Sequence, residues 1–393
     1  MARCVPGLPG ETPNPCKRHC RAFRNGSRIP AASGGHPVQR LAAIVAANDL
    51  RVVAVVGTSK NAGKTTTLNR ILARGRSLCG PIGLVSIGVD GEEADFWLGH
   101  PKPRILVQPG DRFATAEGAL AAATAEVAIG VRTGRPSPLG DLVVATVTSP
   151  GAVLLAGVRA KADLQALVGG LQAMGAAKVL VDGSYQRTMA AAPDVSDGVV
   201  VATGAVLGPT VAQVAARTEA FVARLRLPAM DARDAALLAR AAREDVPWLD
   251  ARDGMRPFPG ALDTAFGTPA ALAATMPPGD LALAVPGVVT DSLIDGLSEA
   301  GGRSVRLLVH DATRVFAAWE RVARFLARGG CIRVVRPIRV LAITVNPAGI
   351  VGPDLPAGAL VEAIAARIEG VPVLAGTPGP EGTAGSGPSG GNE

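Results

Sequence analysis

The residues best suited to chemistry lie in one short stretch near the start of the chain. An apolar run at residues 52–56 leads into Gly57, and Gly63-Lys64-Thr65 then opens a helical pattern. The amides of such a loop and the N-terminus of its helix converge on phosphate oxygens, the lysine reaches the β- and γ-phosphates, and the threonine hydroxyl ligates Mg²⁺. The sequence therefore predicts nucleotide phosphate binding by Gly57, Thr58, Lys60, Asn61, Ala62, Gly63, Lys64, Thr65 and Thr66.

Phosphate chemistry with Mg²⁺ also needs a carboxylate at the end of a strand, and two aspartates fit. Asp182 closes the apolar run 179–181, and Asp90 follows the strand predicted at 83–87. We predict that both are catalytic together with Lys64 and that both hold the metal beside the hydroxyl of Thr65. Each is followed by glycine, so a turn-forming Asp-Gly is the alternative for either.

Three further charged residues are weaker candidates for the same site. Glu92 and Glu93 would orient water, and Arg187 would face the phosphates, but each also fits a solvated surface position. The guanine-reading pattern Asn/Thr-Lys-x-Asp is absent from the sequence, which favours ATP as the nucleotide.

The rest of the sequence predicts elements that would hold this loop. Short apolar runs rich in β-branched residues alternate with helical patterns rich in Ala, Leu and Arg. Continuous apolar strands separated by helices indicate a mostly parallel sheet covered on both faces, and so an α/β fold class. The predicted strands of this part are 52–56, 83–87, 142–147, 153–156, 179–181 and 199–202, and the predicted helices are 65–74, 160–174 and 209–225.

The chain divides by composition into five parts. Residues 1–40 and 376–393 are rich in Pro, Gly, Arg or Ser and are predicted to be disordered tails. Residues 45–226 form the predicted nucleotide-binding domain, 227–278 a linker region, and 279–375 a second α/β region. Whether the two α/β regions share one sheet is left open.

Charge and aromatic content argue against nucleic acid as a partner. The net charge is +7, but residues 1–40 hold seven basic residues and one acid, so the remaining chain is close to neutral. Aromatic residues make up only 3% of the chain, which leaves few platforms for stacking bases. The basic tail is predicted to be a solvated extension.

Other classes of protein are disfavoured by what the sequence lacks. There is no apolar run typical of a secretory signal or a membrane span, and five cysteines fit a reducing compartment, so we expect a cytoplasmic protein without a membrane partner. Cys4, Cys16, His19 and Cys20 are spaced too irregularly to favour zinc. The glycine fingerprint of dinucleotide-binding enzymes and the nucleophile elbow of hydrolases are both absent.

The phosphate loop is longer than usual, because five residues rather than four separate its two glycines. This spacing resembles the dethiobiotin synthetase and cobyrinate amide synthase branch of P-loop NTPases. The related partitioning ATPases carry a second lysine just after the first glycine, whereas Lys60 lies further on, so that role is not transferred to it.

Further motifs resemble one family, the ATP-binding reactivase subunit of adenosylcobalamin-dependent lysine 5,6-aminomutase and D-ornithine 4,5-aminomutase. The similarity covers about residues 50–375 and departs from the family at Ala312, where proline is expected, and in the long Cys/Arg-rich start. The stretches that carry the resemblance are 57–69, 86–93, 101–104, 181–187, 202–205, 307–316 and 343–347.

The resemblance implies an ATPase that drives inactive cobalamin out of an aminomutase, with that aminomutase and a second reactivase subunit as partners. ATP and Mg²⁺ would be its cofactors, and the nucleotide state would shift a conformational equilibrium that the aminomutase senses. Two other functions stay open. One is an ATP-dependent synthetase that activates a carboxylate, and the other is a nucleotide-binding adaptor.

Overall fold

The structure is a computed structural model that describes residues 37–47, 49–87, 104–183, 188–258, 273–274, 276–277, 279–299, 304–349 and 352–376. Its strands, numbered in chain order, are β1 (Val52–Gly57), β2 (Ile82–Ser86), β3 (Ile105–Val107), β4 (Arg112–Ala116), β5 (Val127–Ser137), β6 (Gly140–Val147), β7 (Gly151–Val153), β8 (Lys178–Asp182), β9 (Gly198–Gly204), β10 (Trp248–Ala251), β11 (Gly254–Pro257), β12 (Leu281–Ala284), β13 (Val305–Val309), β14 (Cys331–Val334), β15 (Val340–Asn346) and β16 (Val373–Ala375).

The α-helices of the described residues are α1 (Pro37–Ala46), α2 (Lys64–Cys79), α3 (Lys161–Ala173), α4 (Val211–Leu225), α5 (Ala232–Glu244), α6 (Asp291–Glu299), α7 (Trp319–Ala327) and α8 (Ala357–Ala365). In the part of the chain that the structure describes, none of the helices combines the length and the apolar character that crossing a membrane requires.

A nine-stranded sheet with the order β16-β15-β9-β1-β8-β2-β4-β6-β5 places β1 near its centre. Every residue of β1 and of β9 is buried, as expected for strands covered on both faces. All neighbouring strands from β16 to β4 pair in parallel, but β6 pairs antiparallel with both β4 and β5. The fold is therefore α/β as expected, with a mixed sheet.

The antiparallel edge comes from a part of the sequence for which we predicted only the strand 142–147. Strand β5 contains Gly130, Gly134 and Pro136, which interrupt any regular apolar pattern. Most of its residues are exposed, and its pairing with β6 is shifted at two places. Edge strands need little burial on their outer side, so their sequences carry a weak strand signal.

Compact units divide the described chain differently from the boundaries expected from sequence. Residues 37–226 and 338–376 form one unit, and residues 227–337 form the other. Strand β15 pairs in parallel with β9, with Val340 beside Val199 and Asn346 beside Gly204. The last part of the expected second region, 338–375, thus belongs to the nine-stranded sheet, because the chain returns there after building the other unit.

The unit formed by residues 227–337 has its own five-stranded sheet, with the order β11-β10-β12-β13-β14. The neighbours β12, β13 and β14 run parallel, whereas β10 is antiparallel to β12 and β11. Helix α5 packs on this sheet through Leu237, Leu238 and Ala241, which meet Trp248 on β10. Part of the expected linker region 227–278 is therefore regular structure of this unit.

Helix α1 begins inside the expected N-terminal tail. Its first residue is a proline, which is well tolerated at that position, and its side chains Leu41, Ala42, Ile44 and Val45 are buried. Only residues 37–40 of the expected tail 1–40 are described, and they are helical rather than disordered. Residues 1–36 and 377–393 lie outside the described residues.

Candidate functional site

The phosphate loop predicted from sequence lies at the carboxyl end of β1 and leads directly into α2. Helix α2 begins at Lys64, and the residue before it, Gly63, has a φ of 93°, in the left-handed region that favours glycine. Because glycine has no side chain, the helix begins without a side-chain cap. An uncapped helix N-terminus of this kind favours an anion.

Gly57 and Lys64 are packed against each other. A Cβ added to Gly57 would lie 3.0 Å from the Cγ of Lys64, 3.2 Å from its Cδ and 3.0 Å from the carbonyl oxygen of Ser59. The aliphatic part of the lysine therefore folds back across the start of the loop, over a space that only glycine leaves open. The Cγ and Cδ atoms of Lys64 thus lie over the start of the loop.

The remaining loop residues differ in their exposure. Thr58 and Ala62 are buried, Asn61, Thr65 and Thr66 are half-buried, and Lys60 is exposed. Asn61 also has a positive φ, 62°, which asparagine tolerates better than most residues. Two positive φ angles, at Asn61 and Gly63 on either side of Ala62, give the loop a tight curvature.

Buried hydroxyl groups anchor the loop to its surroundings. The amide of Thr58 donates to the carbonyl of Ala202, 2.9 Å away, and the Thr58 hydroxyl lies 3.2 Å from that of Thr203. The Thr203 hydroxyl is 2.7 Å from that of Thr218, which donates to the carbonyl of Val214 in α4. Since each hydroxyl has one hydrogen and Thr218 donates its own to Val214, Thr203 donates to Thr218, and the Thr58 hydroxyl is shared between Thr203 and the carbonyl of Ala202, 3.3 Å away.

A second hydroxyl pair joins α2 to β15. The Oγ1 atoms of Thr67 and Thr344 are 2.7 Å apart and buried. Beside them, Asn346 packs on the loop, since a Cβ on Gly63 would lie 3.1 Å from the Cβ of Asn346. No sequence pattern predicted Thr67, Thr203, Thr218 or Asn346 at this site. The glycine that ends β9, Gly204, is the signal that could have pointed to a close approach there.

Asp182 lies at the same edge of the sheet as the loop. It is in register with Val55 of β1 and with Ser86 of β2, and the next amide, that of Gly183, donates to the carbonyl of Val55 over 2.9 Å. Asp182 is half-buried, and its Oδ1 atom is buried. The structure thus places Asp182 at the end of a strand, as predicted, and shows that this strand pairs with β1, which leads into the phosphate loop.

Asp90, Glu92, Glu93 and Arg187 lie outside the described residues, as do Cys4, Cys16, His19 and Cys20. The last described residue before Asp90, Ile87, lies beside Asp182, because its amide donates to the carbonyl of Asp182 over 2.9 Å. Within the described ranges, no three His, Cys, Asp or Glu side chains cluster closely enough to hold a metal ion by themselves.

The chain was compared with models of protein families, with curated proteins and with solved structures, and none of these matches it.

Proposed function

We propose that this protein binds and hydrolyses ATP with Mg²⁺ at the phosphate loop, and that it uses this cycle to reactivate a cobalamin-dependent aminomutase. The observation that carries the nucleotide part is the packing of Lys64 over Gly57 at the carboxyl end of a fully buried strand. That packing requires glycine at one end of the loop and lysine at the other, as the chemistry of phosphate binding does.

The residues present fit a nucleotide phosphate group. The absence of a Cβ at Gly57 leaves room for the aliphatic part of Lys64, and its absence at Gly63 leaves room for Asn346, so both glycines hold the loop close to these side chains. Lys64 would neutralise the β- and γ-phosphates, and the first amides of α2 would donate to their oxygens. Lysine is the suitable residue here because a compact ammonium fits between phosphates. Only six of the 40 basic residues in the chain are lysines.

The residues that would hold Mg²⁺ are Thr65 and Asp182, with Asp90 as a third proposed ligand. The hydroxyl of Thr65 and carboxylate oxygens are the hard ligands that Mg²⁺ prefers. When bound, Mg²⁺ would neutralise charge on the phosphates. Asp182 itself, at the end of the strand beside β1, would orient the groups that surround the γ-phosphate.

The reactivase part of the proposal rests on the sequence resemblance. The ATP-bound and ADP-bound states of the protein would bind an aminomutase that holds damaged cobalamin with different affinities. This difference in affinity would drive the aminomutase to release the damaged cobalamin. The aminomutase and a second reactivase subunit are the partners proposed on this basis.

Two measurements test the two parts separately. In the first, ATP with Mg²⁺ should raise the melting temperature of the wild-type protein, and Lys64→Ala should lose that shift. Arg74→Ala, an exposed residue on the same helix, should keep it. An ATP-induced shift that survives in Lys64→Ala would refute the assignment of the phosphate loop.

In the second, the protein, its partner subunit and an inactivated aminomutase are mixed with ATP and intact adenosylcobalamin. Recovery of turnover only with hydrolysable ATP supports the reactivase function. If ATP is hydrolysed but turnover never recovers, the reactivase function is wrong while the nucleotide site stands. Formation of an acyl phosphate from a carboxylic acid would instead identify a synthetase.

A further inference from the structure

The unit without the phosphate loop presents an apolar edge at the carboxyl ends of three parallel strands. We define the Phe316 edge as residues 285–290, 310–317 and 335–337, the segments that follow β12, β13 and β14. Three large apolar side chains are exposed there, Phe316 at 65%, Val288 at 43% and Val335 at 39%. Phenylalanine is scarce in this chain, with eight residues, so one exposed to this degree needs an explanation.

Main-chain hydrogen bonds hold the three segments together. The Val289 amide donates to the carbonyl of Arg314 over 2.8 Å, and the Phe316 amide donates to the carbonyl of Val289 over 2.9 Å. The Val335 amide donates to the carbonyl of His310 over 3.1 Å. The edge is therefore built before any partner arrives, which lowers the entropic cost of binding.

A buried carboxylate sets the conformation of the middle segment. Asp311 is 1% exposed, and its Oδ1 accepts from the amide of Thr313 over 2.8 Å and from the hydroxyl of the same residue over 2.5 Å. Its Oδ2 lies 3.2 Å from Nδ1 of His310. The carboxylate of Asp311 is thus hydrogen-bonded within its own loop and presents little negative charge to a partner.

The Phe316 edge holds two arginines and one carboxylate, that of the buried Asp311. Its charged residues besides Asp311 are Arg314, half-buried, and Arg336, exposed. Asp291 and Asp295 on α6 both contact Arg321, and Asp291 also accepts from the amide of Ala318 over 2.7 Å. Aromatic residues and arginine together are typical of the energetic centre of protein interfaces.

We infer that the Phe316 edge binds an acidic segment of a protein partner that carries at least one large apolar side chain. The apolar side chain would pack on Phe316 between Val288 and Val335, and the carboxylates would face Arg314 and Arg336. This inference goes beyond the proposed nucleotide chemistry and does not depend on it, because none of these residues belongs to the phosphate loop.

The test uses the full-length protein and two fluorescein-labelled peptides of the same length. One has glutamates flanking leucine and phenylalanine, and the other has lysines in place of the glutamates. We expect the acidic peptide to bind, with an affinity that falls as salt is added. Fluorescence anisotropy should show that Phe316→Ala and Arg336→Glu each weaken it by about tenfold or more.

Matched controls lie elsewhere on the same unit. Met255 is 45% exposed on β11, and Arg252 is exposed beside it, so Met255→Ala and Arg252→Glu should leave the affinity unchanged. Absence of binding, equal binding of the lysine peptide, or affinity unchanged in both edge variants would each overturn the inference. A wild-type dimer in sedimentation equilibrium that Phe316→Ala converts to monomer would also overturn it, because a second copy would then occupy the edge.

Discussion

At the scale of single residues, the phosphate loop depends on two positions that exclude a side chain. Gly57 leaves room for the aliphatic part of Lys64, and Gly63 adopts a left-handed backbone angle against Asn346. The phosphate contact expected of Lys64 therefore depends on Gly57, which has no side chain. A change at Gly57 should weaken the binding of the ligand as well as strain the loop.

Gly57→Ala should weaken ATP binding by about tenfold, as expected when overpacking costs 1–3 kcal/mol and displaces the lysine. Gly169→Ala is the matched control, because a Cβ there would meet nothing within 4 Å and alanine favours helix α3. Isothermal titration with ATP measures both variants. Unchanged affinity in Gly57→Ala would contradict the packing argument.

Asp182→Asn should reduce Mg²⁺-dependent ATP hydrolysis much more than it reduces nucleotide binding, because the amide keeps the shape of the side chain but loses its charge. A steady-state hydrolysis assay and a binding titration on the same preparation give the two numbers. Asp245→Asn, at an exposed position, serves as the control. An equal loss of binding and hydrolysis in Asp182→Asn would argue against a role with the metal.

At the scale of elements, polar groups buried at strand ends join neighbouring parts of the fold. Thr203 at the end of β9 links the phosphate loop to α4, and Thr344 on β15 meets Thr67 of α2. Asp311 does the same in the other unit, where it holds the turn after β13. Such groups stabilise the fold only while every partner is satisfied, because an unsatisfied buried polar atom costs about 1–3 kcal/mol.

Asp311 should make the free energy of unfolding of the protein depend on pH. Burial by itself would raise the pKa of Asp311, but hydrogen bonds from the hydroxyl and amide of Thr313 and from His310 together hold the pKa below its ordinary value. A carboxyl group whose pKa is lowered by folding contributes stability above its unfolded pKa and loses it as the pH falls through the folded pKa. Asp311 therefore stabilises the fold above about pH 4.

Asp311→Asn should lower the free energy of unfolding by about 1–3 kcal/mol near neutral pH, with a difference from wild type that shrinks below about pH 4. Urea titrations across this pH range measure the difference. Asp280→Asn, at an exposed position outside the helices of the same unit, should match the wild type throughout. A difference that does not depend on pH would show that the charge of Asp311 is not the cause.

At the scale of the whole molecule, the unit that holds the proposed nucleotide site is built from two separate parts of the chain. Strands β15 and β16 complete the sheet that carries the phosphate loop, although more than one hundred residues of the other unit precede them. A unit that interrupts another in this way resembles a domain insertion, which the host unit tolerates when its own core is complete.

Replacing residues 227–337 by a Gly/Ser linker should leave a protein that unfolds cooperatively and still shows the ATP-induced thermal shift. A chain that instead ends at Pro337 lacks β15, so the buried strand β9 loses a neighbour and cooperative unfolding should be lost. Circular dichroism melts with and without ATP compare the two. If the protein in which the linker replaces residues 227–337 stays unfolded, the unit that carries the phosphate loop does not fold by itself.

Local patterns were enough to predict the α/β class, the strand before the phosphate loop, and Asp182 at the end of a strand. These features depend on residues that are close together in sequence. A few neighbouring positions are enough to show the periodicity of a strand, a glycine at a turn or a lysine at the start of a helix. The resemblance to the reactivase family added a function, which remains a prediction.

Only the tertiary structure showed which distant residues complete the site. Asn346 reaches Gly63, Thr344 reaches Thr67, and the antiparallel strand β6 makes the sheet mixed. Residues 338–376 join the first unit because β15 finds its partner in β9, at a separation of more than one hundred residues. Pairing between distant strands depends on packing across the whole sheet, so no local pattern contains it.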